Sequence, residues 1–87
     1  MKHAPVLLLH HGDTPLGEAV ARLAGEHYRV AIAGSDSVRG NQLCAQLHST
    51  GREAMFLETR QGEAQDHRRN VERIMRRWQQ LDVVINL

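Results

Sequence analysis

The sequence predicts an α/β protein in three layers, with helices on both faces of a parallel four-stranded sheet of strand order 3-2-1-4. Apolar and amphipathic segments alternate along the 87 residues in the order β-α-β-α-β-α-β. Residues 6–9 are apolar without interruption, which is typical of a strand that is buried on both faces. Parallel strands need crossover connections, and the helical segments between the apolar runs supply them.

Four strands are predicted from the apolar runs. They cover Val6–His10, Val30–Ala33, Ala54–Leu57 and Asp82–Leu87. The first three are expected in the order 3-2-1, and the fourth is expected to return beside the first. This reversal of the strand order creates a crevice at the carboxyl ends of strands 1 and 4, where such sheets bind ligands.

Three helices are predicted between the strands, the first two on one face of the sheet and the third on the other. They cover Pro15–His27, Val38–Ser49 and, after a break at Gln61-Gly62, Glu63–Gln80. Gly51 is expected to end the second helix in a left-handed conformation. The side chains expected to face the sheet are Leu16, Ala19, Val20, Leu23, Ala24, His27, Leu43, Cys44, Leu47, Val71, Ile74, Met75 and Trp78.

Composition limits the class of protein. The chain is 41% hydrophobic and 24% charged with a net charge of +1, which describes one globular domain over residues 1–87. That charge gives no argument for a nucleic-acid or membrane partner. Residues 1–9 lack the length and cleavage site of a signal peptide, and no apolar run approaches a membrane span. The single Cys44 has no internal disulfide partner, which favours a reducing, cytoplasmic setting.

Residues 6–17 form the most informative stretch. Thr14 can cap a helix that starts at Pro15, a residue that fits the first helical position. A strand, a tight turn and a helix N-terminus together suit an anion, because free N–H groups and the positive end of the helix point the same way. A strand–turn–helix without any ligand is the alternative interpretation.

Two segments resemble the N-terminal part of a short-chain dehydrogenase/reductase. Leu16-Gly17 followed by EAVA at residues 18–21 resembles the helix start after that family's Thr-Gly-x-x-x-Gly-x-Gly turn. The segment WQQLDVVIN at residues 78–86 resembles the family's aromatic residue, spacer, Leu-Asp-Val and strand before Asn-Asn-Ala-Gly. The resemblance extends from Val6 to Leu87, nearly the whole chain.

The resemblance implies a Rossmann-like dinucleotide-binding half-domain, the N-terminal part of a larger oxidoreductase fold. The complete family member transfers a hydride between a nicotinamide and a carbonyl or alcohol. Its catalytic Ser and Tyr-x-x-x-Lys follow the fourth strand, and this sequence ends at Leu87 with Tyr28 as its single tyrosine. We therefore assign no catalytic residue and expect this chain alone to be inactive.

The glycine turn departs from the family pattern. An ungapped comparison places His10 at the family's Thr, and His11, Pro15 and Gly17 at its three glycines. A shift by one residue restores Gly12 as the first glycine but leaves the spacing one residue short. Pro15 has no N–H to offer a phosphate, and Asp13 adds negative charge. Weak binding of NADP or NAD is the predicted consequence.

The residues expected at the cofactor are His11, Gly12, Asp13, Thr14, Leu16, Gly17, Ser35, Asp36, Arg39, Arg60 and Asn86. The N–H groups of Leu16 and Gly17 are expected to face an anion. Ser35 with Arg39 suits the 2′-phosphate of NADP, whereas Asp36 suits the ribose diol of NAD, so this choice stays open. Arg60 stands where the family carries an Asp, and its guanidinium is expected to stack on adenine.

Other candidates have plainer explanations. No metal site is predicted at His10-His11, because adjacent strand residues point to opposite sides and no acid or cysteine has metal-ligand spacing. Five arginines within residues 68–77 are interpreted as a solvated helix face. Cys44 is interpreted as a buried thiol and Trp78 as core.

Two functions from different classes therefore remain. The chain is either a weak dinucleotide-binding part of an oxidoreductase or a non-catalytic interaction module that kept the fold and lost the ligand. In both cases, association is expected through strand 82–87 and through strands 2 and 3 on the face of the third helix. The partner is another copy or a C-terminal portion of the protein.

Overall fold

The computed structural model describes residues 3–60 and 63–87 and shows three helices and four strands. These elements are β1 Val6–His10, α1 Pro15–Ala24, β2 Arg29–Gly34, α2 Ser37–Ser49, β3 Ala54–Glu58, α3 Glu63–Trp78 and β4 Val83–Asn86. The predicted break at Gln61-Gly62 lies outside the described residues. No helix in the described ranges is long and apolar enough to cross a membrane.

All strand pairs are parallel, and the order is β3-β2-β1-β4, as predicted. Leu8 on β1 lies between Ala31 on β2 and Val84 on β4. Because all four strands run the same way, His10, Gly34, Glu58 and Asn86 end at one edge of the sheet, which we call the carboxyl edge. The opposite edge is called the amino edge.

The two faces of the sheet carry separate apolar cores. Leu7, Leu9, Val30 and Ile32 pack with α1 and α2 on one face. On the other face, a second cluster packs against α3 and consists of Val6, Leu8, Ala31, Ala33, Leu57, Ile74 and Trp78. The predicted placement of two helices on one face and one on the other is confirmed.

Helix α3 covers more of its face than expected. Ala31, Ala33 and Leu57 are fully buried beneath it, so the expectation of an uncovered strand 2 on this face is wrong. On strand 3, Met55 is only partly buried. The two alanines are small, and a single helix therefore fills the layer. Met75, expected to face the sheet, is instead exposed.

Helix α1 also differs from the prediction. It ends at Ala24, where Gly25 caps it and turn hydrogen bonds through His27 follow. Its buried positions are Gly17 and Ala21, whereas Leu16 and Leu23 are 62% and 71% exposed. The small residues let α1 approach the sheet closely, while Val20 and Ala24 pack against the core as predicted. Hydropathy was therefore wrong for Leu16 and Leu23 but right for Val20 and Ala24.

Candidate functional site

The predicted site residues lie along the carboxyl edge. The loop after β1 carries residues 11–14, the corner after β2 carries Ser35 and Asp36, and Arg60 follows β3. Asn86 ends β4 directly beside His10 of β1. The topology therefore brings together side chains that are up to 75 residues apart in the sequence, from His11 to Asn86.

Close packing of two glycines shapes the turn after β1. A Cβ added to Gly17 would lie 2.5 Å from the Cα of Gly12, and one added to Gly12 would lie 2.8 Å from Cγ2 of Ile32. The Gly12 N–H donates to the carbonyl of Ala33 at 3.1 Å. Helix α1 therefore starts in direct contact with the loop, at a distance that only glycines permit.

The backbone of His11 has the conformation that glycine adopts without strain. Its φ is +60°, whereas side-chain-bearing residues favour negative φ. The ungapped comparison placed the first glycine at His11, and the shifted comparison placed it at Gly12. The positive φ therefore belongs to His11, whereas the lack of room for a Cβ belongs to its neighbour Gly12.

The helix cap uses some of the N–H groups expected to face an anion. The Gly17 N–H donates to Oγ1 of Thr14 at 3.0 Å, and the Thr14 hydroxyl donates to the carbonyl of His11 at 3.1 Å. Pro15 has no N–H. Among residues 15–17, Leu16 alone keeps an N–H that the cap does not use, because the Gly17 N–H is donated to Thr14.

The carboxylate of Asp13 links the two loops at the centre of the edge. Its Oδ2 accepts a hydrogen bond from the Asp36 N–H at 2.8 Å. A Cβ added to Gly34 would collide with this carboxylate, so the Asp13 side chain lies against the end of β2. The loop after β1 and the corner after β2 are therefore fastened together by a negatively charged group.

Asp36 and Arg39 border a groove between α1 and α2. This groove has a volume of about 400 Å³, and Glu18 forms its α1 side. Oδ1 of Asp36 accepts from the Arg39 N–H at 3.0 Å and so caps α2. Ser35 lies beside this corner with an exposed side chain. The two groups expected to choose between NADP and NAD thus share one surface.

Beyond β3, Arg60 forms an exposed ion pair with Glu58 at 3.1 Å. The Arg60 N–H approaches Oδ1 of Asp66 at 3.4 Å, and Asp66 is 4% exposed. Sequence reasoning missed this buried acid of α3. Its signal was its position near the start of a helix, where a carboxylate is favoured.

His10 and His67 form a contact that spacing in the sequence did not reveal. Nε2 of His10 lies 3.1 Å from Nδ1 of His67, with the ring centroids 5.2 Å apart. No group of three or more His, Cys, Asp or Glu side chains suited to a metal occurs within residues 3–60 and 65–87.

Two residues interpreted as core are confirmed as buried. Cys44 is 5% exposed and Trp78 is 8% exposed. Burial raises the pKa of the Cys44 thiol to about 11, so the neutral form dominates at neutral pH.

Comparison with known proteins gives the family. The model of the short chain dehydrogenase family matches residues 8–87. A curated relative, the (2S)-[(R)-hydroxy(phenyl)methyl]succinyl-CoA dehydrogenase subunit BbsC of Thauera aromatica, is 37% identical over 82 residues. That alignment covers 93% of this chain and 33% of the relative.

Solved structures show the same fold. Actinorhodin polyketide ketoreductase, solved with NADPH, has a TM-score of 0.87 at 21% identity and is matched over 97% of this chain and 33% of its own. An alcohol dehydrogenase of the archaeon Thermococcus sibiricus, complexed with 5-hydroxy-NADP, has a TM-score of 0.82 at 23% identity, over 94% and 36% of the two chains.

A third structure, from Sinorhizobium meliloti 1021 and assigned to the short-chain dehydrogenases/reductases, has a TM-score of 0.86 at 25% identity. It is matched over all of this chain and 41% of its own. This chain thus spans about a third of the length of the curated relative. Since the family model covers all but the first seven residues and the fold agrees, the chain belongs to the short-chain dehydrogenase family.

Proposed function

We propose that this chain is the N-terminal, cofactor-facing part of a short-chain dehydrogenase and that it binds NADP(H) or NAD(H) weakly. The complete protein would transfer a hydride between the nicotinamide and a carbonyl or alcohol. The observation that carries the proposal is the carboxyl edge itself, where the Asp13 carboxylate joins the glycine turn to the corner at Asp36 and Asn86 ends β4 beside His10.

Different residues at this edge would bind different parts of the cofactor. The backbone from His11 to Leu16 would face the pyrophosphate, with the Leu16 N–H available to it. Asp36, Arg39 and Ser35 would hold the adenosine ribose or its 2′-phosphate, and Arg60 would stack on the adenine. Asn86 would border the crevice at the end of β4, beside His10. When bound, the nicotinamide cofactor supplies the hydride chemistry.

Two features of the same edge support weak binding. The Asp13 carboxylate lies between the two loops, and the Thr14 cap occupies the Gly17 N–H. A phosphate placed here meets a negative charge and fewer free donors than a helix N-terminus normally offers. We expect a Kd of about 0.1 mM or weaker, which corresponds to about 5–6 kcal/mol of binding free energy.

Asp13→Asn tests this account directly. The amide keeps an acceptor for the Asp36 N–H and removes the charge, so NADPH or NADH should bind about three- to tenfold tighter in calorimetric titration. Glu53→Gln removes an equal charge from an exposed position at the amino edge and should leave the Kd unchanged. Micromolar binding by the native chain would contradict the proposal.

Pro15→Gly is the second test. It restores an N–H and removes the ring where the ungapped comparison places a glycine, so cofactor binding should again tighten. Pro5→Gly, before β1 at the amino edge, is the matched control. An unchanged Kd in the Pro15 variant would argue against the ungapped comparison.

For the chain alone, we expect no carbonyl reduction. The family's Ser and Tyr-x-x-x-Lys are not among its 87 residues, and Tyr28 lies at the amino edge, before β2. Mixing pure protein with NADPH and a ketone should give no ketone-dependent loss of absorbance from the reduced nicotinamide. Steady turnover would overturn this expectation.

A non-catalytic interaction module is the second candidate. Thr14 accepts from the Gly17 N–H within the turn, and Asp13 accepts from the Asp36 N–H of the neighbouring corner. The Thauera aromatica relative is named as a subunit of a dehydrogenase. The titrations above separate the two candidates. No binding by the native chain, and no gain in either variant, would favour the module.

Association through β4 is part of the proposal. β4 pairs with β1 on one side, and Val84, on the face of α3, is 47% exposed. Exposed backbone beside apolar side chains favours strand pairing with another chain. Sedimentation should therefore show concentration-dependent self-association or, with a C-terminal portion added, a complex. A well-behaved monomer at about 100 μM that binds no hydrophobic dye would contradict it.

A further inference from the structure

Two histidines from distant parts of the chain meet at the carboxyl edge. His10 ends β1, and His67 lies near the start of α3, 57 residues later. Alternation along β1 places Leu7 and Leu9 on the α1 face, so His10 lies with Leu8 on the α3 face. Nε2 of His10 and Nδ1 of His67 share a hydrogen bond of 3.1 Å, which an ion bound between the two nitrogens would replace.

We propose that His10 and His67 form a two-histidine binding site for a divalent transition-metal ion, for which Zn²⁺ is the probe. Zn²⁺ binds imidazole nitrogen at about 2.0–2.1 Å, so two nitrogens on one tetrahedral ion lie about 3.3–3.4 Å apart. The observed separation of 3.1 Å is close to that spacing. A small rotation of the exposed His67 ring brings both nitrogens into position around one ion.

The surroundings make this an open site. His67 is exposed and His10 is half-buried, so solvent can occupy the remaining coordination positions. Two features limit the affinity. The described residues supply no third His, Cys, Asp or Glu ligand, and the nearby start of α3 disfavours a cation. Half-saturation is expected between about 10 μM and 1 mM Zn²⁺.

This site is separate from the proposed cofactor contacts. Neither histidine belongs to the predicted cofactor residues, and metal binding needs only the fold, which brings β1 and α3 together. A chain that binds no dinucleotide can still bind Zn²⁺ here. The two proposals therefore fail or succeed by different measurements.

Calorimetric titration with Zn²⁺ alone is the main test. His67→Gln should weaken binding at least tenfold, and His10→Gln should do the same, because each removes one of two ligands. His27→Gln, at an exposed position after α1, and His3→Gln, before β1, are matched controls and should leave the affinity unchanged. Circular dichroism checks that each variant is folded. If His10→Gln fails to fold, the exposed His67 decides the outcome.

Nitrogen NMR of the imidazole rings locates the ion. Zn²⁺ should shift the His10 and His67 ring signals at the same metal concentrations that give heat, and leave His27 unaffected. No binding below 1 mM, roughly the limit for a weak specific site, or equal binding by His67→Gln and the native chain, would overturn the proposal.

Discussion

The two edges of the sheet are each closed by a carboxylate, but in different surroundings. At the amino edge, Oδ2 of Asp82 accepts from the Val6 N–H at 2.8 Å and joins β4 to β1. At the carboxyl edge, Oδ2 of Asp13 accepts from the Asp36 N–H at the same distance. Both groups connect neighbouring strands through a backbone N–H.

The difference lies in the charges around them. Asp82 also accepts from Gln80 at 2.7 Å, and the buried guanidinium of Arg29 bonds to Gln80 and lies 5.5 Å from the Trp78 ring. Within the described ranges, Asp13 has no salt bridge. The acid at the amino edge thus belongs to a compensated network, while the acid at the carboxyl edge leaves negative charge where we propose that the cofactor phosphate binds.

The largest expected effect concerns the glycines of the two edges. Gly17→Ala at the carboxyl edge places a Cβ against the backbone of Gly12, which cannot move away without shifting α1. The free energy of unfolding should fall by about 3 kcal/mol. Gly51→Ala at the amino edge meets open space and only the unfavourable φ of +80°, so about 1 kcal/mol is expected.

Denaturant titration followed by circular dichroism measures both glycine variants. Equal losses at the two positions would show that the close contact between Gly12 and Gly17 does not limit how near α1 lies to the turn.

A smaller, opposite effect is expected at the two residues that have positive φ but carry side chains. His11 at the carboxyl edge has φ +60°, and Gln79 at the amino edge has φ +54°. His11→Gly and Gln79→Gly should each stabilise the fold by about 0.5–1 kcal/mol, because glycine adopts this conformation without strain. Thermal unfolding measures the gain. A loss of stability in both would mean that these side chains contribute more than the strain removes.

The smallest effect is a pH dependence at the amino edge. The hydrogen bond from Val6, then that from Gln80, lowers the pKa of the Asp82 carboxyl. The stability it contributes is fully present above the unfolded value of about 3.9 and is lost as the pH falls through the lower folded value. Asp82→Asn should flatten the acid limb of the stability profile below about pH 4, whereas Asp13→Asn serves as the comparison at the other edge. An unchanged acid limb would show that Asp82 does not contribute to the pH dependence of stability.

Much of the fold was predictable because burial on two faces leaves a simple pattern. The run from Val6 to Leu9 is buried without interruption, and the strand predicted there has the observed bounds. Gly51 follows the end of α2 with a positive φ, and Trp78 fills the core, as expected. These features depend on local chemistry, which the sequence carries directly.

The interior face of α1 and the contacts of the site were less predictable. Leu16 and Leu23 look like core residues by hydropathy, yet the helix buries Gly17 and Ala21 because close approach to the turn requires small residues. The hydrogen bond from Asp36 to Asp13 spans 23 residues, and the contact between His10 and His67 spans 57. No local spacing rule reports such pairs, since only the crossovers bring them together.

The buried thiol of Cys44 gives this small domain an internal reporter of its own opening. With a pKa of about 11 and little exposure, the thiol should react slowly with alkylating reagents while the chain is folded. Cys44 lies on α2 against the core beneath α1 and α2, so labelling requires that this layer separate from the sheet. Because Cys44 is the sole cysteine, the labelling experiment needs no engineered variant. The rate at which the thiol is modified then measures how often the layer of α1 and α2 opens in the native molecule.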